Sequence, residues 1–167
     1  MGLPSVLKNF NLFVDGRGYA GKVDEVELPK LTIKTEEYRA GGMDAPVEID
    51  MGMEKLECSF TLSEYDPALF AMWGLVPGGW VNVTLRGAMD KDGIVEPVVV
   101  SVTGRWKEID MGTWKAGEIA KLKVQVSARF YQLMIGARAA VHIDVENMVR
   151  VVDGVDQLLG MRMALGR

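Results

Sequence analysis

One cysteine and one histidine stand in 167 residues. The lone cysteine, Cys58, excludes an intrachain disulfide and a multi-cysteine metal cluster, and removes any ground for inferring an oxidising compartment. The lone histidine, His142, has no second His or Cys near it in sequence to share a metal or raise a nucleophile. Long apolar runs are also missing: nothing approaches the roughly 18 residues of a membrane span. The opening MGLPSVLKNFNLF is interrupted by Lys8 and Asn9, unlike the apolar core of a signal peptide. Val6 stands where an acylation signal wants Ser or Thr. The expectation is a soluble protein with no membrane anchor. Positive charge is in deficit: 19 Lys and Arg against 23 Asp and Glu give a net charge of −4. A surface of that sign does not grip phosphates, which argues against a sequence-reading nucleic-acid binder.

What remains is an ordinary globular balance, 49% hydrophobic and 25% charged, in a length that suits one domain over residues 1–167. Alternation with period two dominates. Leu122, Val124, Val126, Ala128 and Phe130 point one way, while Lys121, Lys123, Gln125, Ser127 and Arg129 point the other, the pattern of a half-buried antiparallel strand. The runs from Leu56 to Ser63, Val81 to Arg86 and Val98 to Thr103 alternate in the same manner. Further strands are expected at 10–14, 19–28, 31–37 and 139–144. Asp15–Gly18, Asp90–Gly93 and Ile135–Arg138 read as hairpin turns. A helix is expected over Asp66–Gly74, with Asp66 as N-cap, Pro67 in the first turn, and Leu69, Met72 and Trp73 on one face. A second short helix fits Asp156–Ala164. The expected fold class is all-β with a flanking helix, a sandwich or barrel.

Candidates for chemistry are few. Cys58 shares the apolar face of its strand with Leu56 and Phe60 and reads as a small buried hydrophobe. His142 alternates with Val141 and Ile143 on a strand. Glu25/Glu27 and Glu36/Glu37 read as solvated polar faces rather than acid–base pairs. The 19 glycines show no phosphate-cradling spacing. No catalytic residue, cofactor or metal is implied. Trp73, Trp80, Trp106 and Trp114 leave open a monomeric ligand- or carbohydrate-binding sandwich, and His142 with a carboxylate leaves open a small hydrolase. Two features favour self-assembly instead. Strands of ten residues span about 35 Å and leave edges that must be covered, charged or paired. The excursion YRAGGMDAPVEIDMGME, Tyr38 to Glu54, holds no nucleophile and is rich in Gly and Met.

Taken in order and spacing, several stretches resemble the major tail tube proteins of contractile-tailed bacteriophages and the tube proteins of R-type phage-tail bacteriocins. They are NLFVDG (11–16), LPKL (28–31), YRAGGMDAP (38–46), IDMG (49–52), KEID (107–110) and WKAGE (114–118), followed by Ile143-Asp144, Asn147 and DGVDQL (153–158). The likeness covers nearly the whole chain. It implies a non-enzymatic subunit of six-membered rings that stack into a hollow tube of the virion, assembled in the bacterial cytoplasm. With four strands per subunit the inner barrel has about 24 strands and a diameter on the order of 45–50 Å. The implied partners are copies of itself, a tail sheath protein, a tape measure protein in the lumen, and baseplate initiator and tail terminator proteins. DNA would pass without sequence-specific binding, or the tube would be the needle of a bacteriocin. Residues 39–53 are implied as an inter-subunit arm loop. Gly41 and Gly42 turn its backbone, Pro46 stiffens the return, Met43, Ile49 and Met51 offer apolar anchors, and Arg39, Asp44 and Met53 complete the implied contacts. Segments 2–9 and 145–167 are implied as stacking contacts. A uniformly acidic bore is at odds with Arg105, Lys107, Lys121, Lys123 and Arg129 on the polar strand faces.

Overall fold

The structure, a computed structural model, describes residues 2–74 and 79–167. Among these residues there are twelve strands and two short helices. The strands are β1 (Val6–Val14), β2 (Arg17–Gly18), β3 (Val23–Glu27), β4 (Ile33–Tyr38), β5 (Val47–Met53), β6 (Leu56–Leu62), β7 (Val81–Lys91), β8 (Ile94–Asp110), β9 (Leu122–Ile135), β10 (Arg138–Asp144), β11 (Val149–Val152) and β12 (Val155–Asp156). The helices are α1 (Pro67–Phe70) and α2 (Leu159–Ala164). Ten strands form one antiparallel sheet in the order β12-β11-β10-β9-β8-β7-β1-β2, with β6 beside the first half of β9, on the edge that β10 takes along its second half, and β3 outside β6. β4 and β5 pair only with each other.

Each two-residue turn is made by the chemistry its strands require. Asp15-Gly16, Asp92-Gly93 and Asp153-Gly154 all hold positive φ at both positions, the turn whose twist matches a β-hairpin. The core takes one face of the whole sheet: Leu12, Val83, Val102, Val126 and Phe60 belong to a single buried cluster. A ten-stranded sheet that buries one face in one cluster must fold over on itself, and the two longest strands supply the bends. The β8–β9 register shifts between Thr103 and Gly104 and again between Trp106 and Glu108. Gly104 lies in the first of these. A Cβ there would sit 2.2 Å from the Ser127 carbonyl oxygen, so the bulge needs glycine. Trp106, fully buried, meets Phe60 edge to face at 5.5 Å.

That bulge corrects one expectation. Strict alternation puts Phe130 with Leu122–Ala128 on the core face. The extra residue, Arg129, flips the parity, so Tyr131 enters the core at 3% exposure while Phe130 faces outward against His142. The first helix is also shorter than expected. Asp66 does cap it, accepting from the Ala68 amide at 3.0 Å, and Pro67 opens it, but it ends at Phe70. Trp73 instead bridges to Trp106 in a sheet-like contact, with its ring half exposed. α2 begins at Leu159 because Val155–Asp156 pairs with β11. The first strand reaches back to Val6 through pairs with β7, absorbing half of the segment read as a stacking tail.

Candidate assembly surfaces

The excursion 39–53 is not a loop. Its second half is β5, which returns along β4 with Tyr38 opposite Val47, Glu37 opposite Glu48 and Glu36 opposite Ile49. Directly opposed residues share a face, so Tyr38, Val47, Ile49 and Met51 lie on one side of this ribbon together with Glu36, and Glu37, Glu48 and Asp50 on the other. The four apolar side chains are 45–52% exposed. An isolated two-stranded hairpin is marginal in water. This one shows water its apolar face and open edges, the features of an element awaiting a partner.

The tip, residues 39–46, closes on itself. Arg39 Nε donates to the Met43 carbonyl at 3.2 Å, and the Ala40 amide donates to the Met43 sulfur at 3.3 Å. Met43 is therefore turned back and half-buried, and Gly42, at φ +85°, permits the turn. Gly41, Asp44 and Pro46 are exposed around it. Asp50 accepts from the Gly52 amide at 2.7 Å, fixing a kink near the base where Gly52 holds φ +100°. Met53 is half-buried against the core of its own chain. Of the apolar contact residues implied from sequence, Ile49 and Met51 are presented outward and Met43 and Met53 are drawn in.

Other exposed apolar groups lie elsewhere. Ile94 and Val95 stand at the β7–β8 tip, 75% and 62% exposed, and Leu7 pairs into β1 near them, opposite Met89. Leu159, Met161, Met163 and Leu165 are exposed on and just after α2, which buries no residue of its own chain. The sequence carried this signal as apolar residues at every second position from 159 to 165, a pattern no single amphipathic face explains.

The candidate chemical groups named from sequence hold structural positions. Cys58 is buried, and its thiol is pushed up to about 12 by desolvation and then by the charge of Glu27. Its nucleophilic form is thus scarce. His142 meets Phe130 edge to face at 5.2 Å. No group of three metal-ligating side chains occurs among the described residues. The tryptophans form no shared platform: Trp106 is buried, the Arg105 and Arg129 guanidiniums lie over the Trp80 ring, and Trp114 donates to the Tyr65 hydroxyl at 2.8 Å. Several strand-face cations are matched within the chain. Lys121 pairs with Asp24 at 2.6 Å, Lys107 with Glu57, and Arg129 with Glu146. Lys107, and after it Lys55, holds the Glu57 carboxyl below its ordinary range.

Comparison with known proteins fits this architecture. The model of the family described as phage tail tube protein FII matches residues 4–166. The tail tube protein of Escherichia phage P2 is 34% identical over 171 residues, covering 99% of this chain and 99% of its own. The major tail tube protein of Serratia phage KSP20 is 32% identical over 156 residues, covering 92% of this chain and 91% of its own. Among solved structures, the sheath/tube terminator of the PVC extracellular contractile injection system superposes with a TM-score of 0.61 at 14% identity, over 79% of this chain and 97% of that one. The PVC sheath–tube complex gives 0.60 at 14% identity, over 79% and 92%. At that identity the structures establish a shared fold, and the near-complete match to the family model and to the two phage proteins establishes kinship: this chain belongs to the phage tail tube protein FII family.

Proposed function

We propose that copies of this tail tube protein form six-membered rings that stack into a hollow, non-catalytic tube. The β4–β5 ribbon and the two ends of the chain lie against neighbouring copies. The observation that carries this reading is the ribbon itself, an amphipathic hairpin whose apolar face and strand edges find no partner among the described residues of their own chain. Closing a barrel across several chains is the arrangement that removes such edges. A sheath protein surrounds the tube, and baseplate and terminator proteins cap its ends, in keeping with the assemblies named for the solved relatives. A tape measure protein fills the lumen during assembly in the host cytoplasm, and DNA later passes through without sequence-specific contact. Alternatively the tube serves as the needle of a bacteriocin; capsid and packaging genes beside the coding sequence distinguish the phage.

Negative-stain microscopy of the purified protein tests the proposal. Rings or tubes are expected as concentration and salt are raised. Globular monomers alone, under every condition, would overturn it.

A further inference from the structure

The core face of the sheet is not fully covered. Beyond the buried cluster, a groove of about 490 Å³ opens across β1, β7, β8 and β9, floored by Leu7, Phe10, Leu85, Met89, Leu133 and Ile135. Glu25 lines it from β3, beside Asp24, which is already paired with Lys121. The groove crosses four strands, roughly 14 Å at about 4.8 Å per spacing. An apolar opening of this kind, with a carboxylate on its lining, calls for an apolar occupant that brings no further negative charge.

The exposed apolar elements of this chain include the ribbon, the β7–β8 tip and the C-terminal segment, and they differ in charge. The ribbon carries Glu36 on its apolar face and Glu37, Glu48 and Asp50 on the other, and the tip carries Asp90, Asp92 and Glu96. Seating either in the groove would set carboxylates against Glu25. The segment Gln157–Arg167 contains no acidic side chain and two arginines, Arg162, which is paired with Asp156, and Arg167. Its helix, α2, is about 9 Å long at 1.5 Å per residue, which the groove accommodates. α2 does not fill the groove of its own chain: it buries none of its residues, and Arg162 ties it to Asp156 and to the Met148 carbonyl beside β11 and β12.

We infer that α2 of one copy inserts Leu159 and Met163, which lie one turn apart on the same helix face, into the β1–β7–β8–β9 groove of a second copy. This rests on the tube reading above and specifies which surface of a neighbour receives the C-terminal segment. The arrangement is heterologous, since helix and groove are different surfaces, so it propagates from copy to copy rather than closing a pair.

Cysteine cross-linking tests it cleanly, because the one native thiol, Cys58, is buried. Full-length protein carrying Met163→Cys and Met89→Cys is assembled into tubes and treated with a short bis-maleimide. A ladder of dimer, trimer and higher species on a denaturing gel is expected, and it should vanish in dilute, unassembled protein. Tubes that run only as monomer would overturn the inference and leave the tube reading standing. So would a ladder from Ile49→Cys with Met89→Cys in place of the first pair, which would seat the ribbon in the groove. If the first variant does not assemble, Leu159→Cys with Leu7→Cys gives the same readings. Failure of the unsubstituted protein to form tubes sinks both.

Discussion

β5 and β6 are each seven residues long and are separated by two residues, Glu54 and Lys55. Both alternate: Val47, Ile49, Met51 and Met53 in one, Leu56, Cys58, Phe60 and Leu62 in the other. Yet six of the seven residues of β6 are buried, while six of the seven of β5 are exposed. The difference is not intrinsic propensity. β6 lies between β3 and β9 with its apolar face on the core; β5 has only β4 beside it. Alternation thus specifies that a face will be covered without specifying which polypeptide covers it. The same pattern produces a fold in one strand and, on the reading above, an assembly in the next.

Truncating each strand should separate these roles. Phe60→Ala removes a fully buried ring from its contact with Trp106. It should cost the monomer about 3–5 kcal/mol, read as a lower denaturation midpoint. Ile49→Ala should leave the monomer midpoint within about 0.5 kcal/mol. It should weaken assembly instead, with a loss on the order of 1–2 kcal/mol per interface that raises the concentration needed for tubes roughly tenfold or more, by light scattering. If Ile49→Ala destabilised the monomer as Phe60→Ala does, the contrast between the strands would collapse.

Much of the fold was legible because burial and alternation coincide along β7, β8 and the first half of β9. Parity failed at Arg129, where a bulge inserts one residue and exchanges Phe130 for Tyr131. The clue was Gly104, a glycine inside the partner strand, which marks close backbone approach; a single sequence shows the glycine but not the strand opposite it. The hairpin at 38–54 was read as a loop because Gly41, Gly42, Pro46 and Gly52 outweighed the alternation of Val47, Ile49 and Met51. The groove was not legible at all. It gathers Leu7, Leu85 and Leu133 from three distant strands, and only the folded register sets them side by side.

Asp66 joins a local role to a tertiary one, and its removal should fall between the two strand effects and zero. It caps α1 through the Ala68 amide and accepts from the Tyr19 hydroxyl at 2.8 Å. Asp66→Ala should cost about 1–2 kcal/mol. The Ala68 amide, and after it the Tyr19 hydroxyl, holds the Asp66 carboxyl below its ordinary range. Its contribution is therefore present above the unfolded carboxylate pKa near 4 and is lost as pH falls through the lowered folded value, so wild type and variant should converge in acid. Tyr19 behaves oppositely. Burial first, then Asp66, raises it to about 12, so stability is full below pH ~10 and declines as pH rises toward 12. Spectrophotometric titration of the tyrosines, with denaturation curves across both windows, checks both signs.

The smallest effect is expected where β3 and β9 begin. Lys121 and Asp24 meet at 2.6 Å, but their side chains remain 55% and 41% exposed. Water screens such a pair, and holding two mobile side chains together costs entropy that offsets the attraction. Lys121→Ala should leave the monomer's denaturation midpoint unmoved at physiological salt, in contrast to the core residues a few positions away. What it changes is charge balance, because Asp24 loses the cation that faces it. A midpoint that fell and recovered with the reciprocal Asp24→Ala would show that this edge is held by its ion pair. No change in either variant would place the stability of the edge in the apolar registry of Val26, Phe60 and Val124.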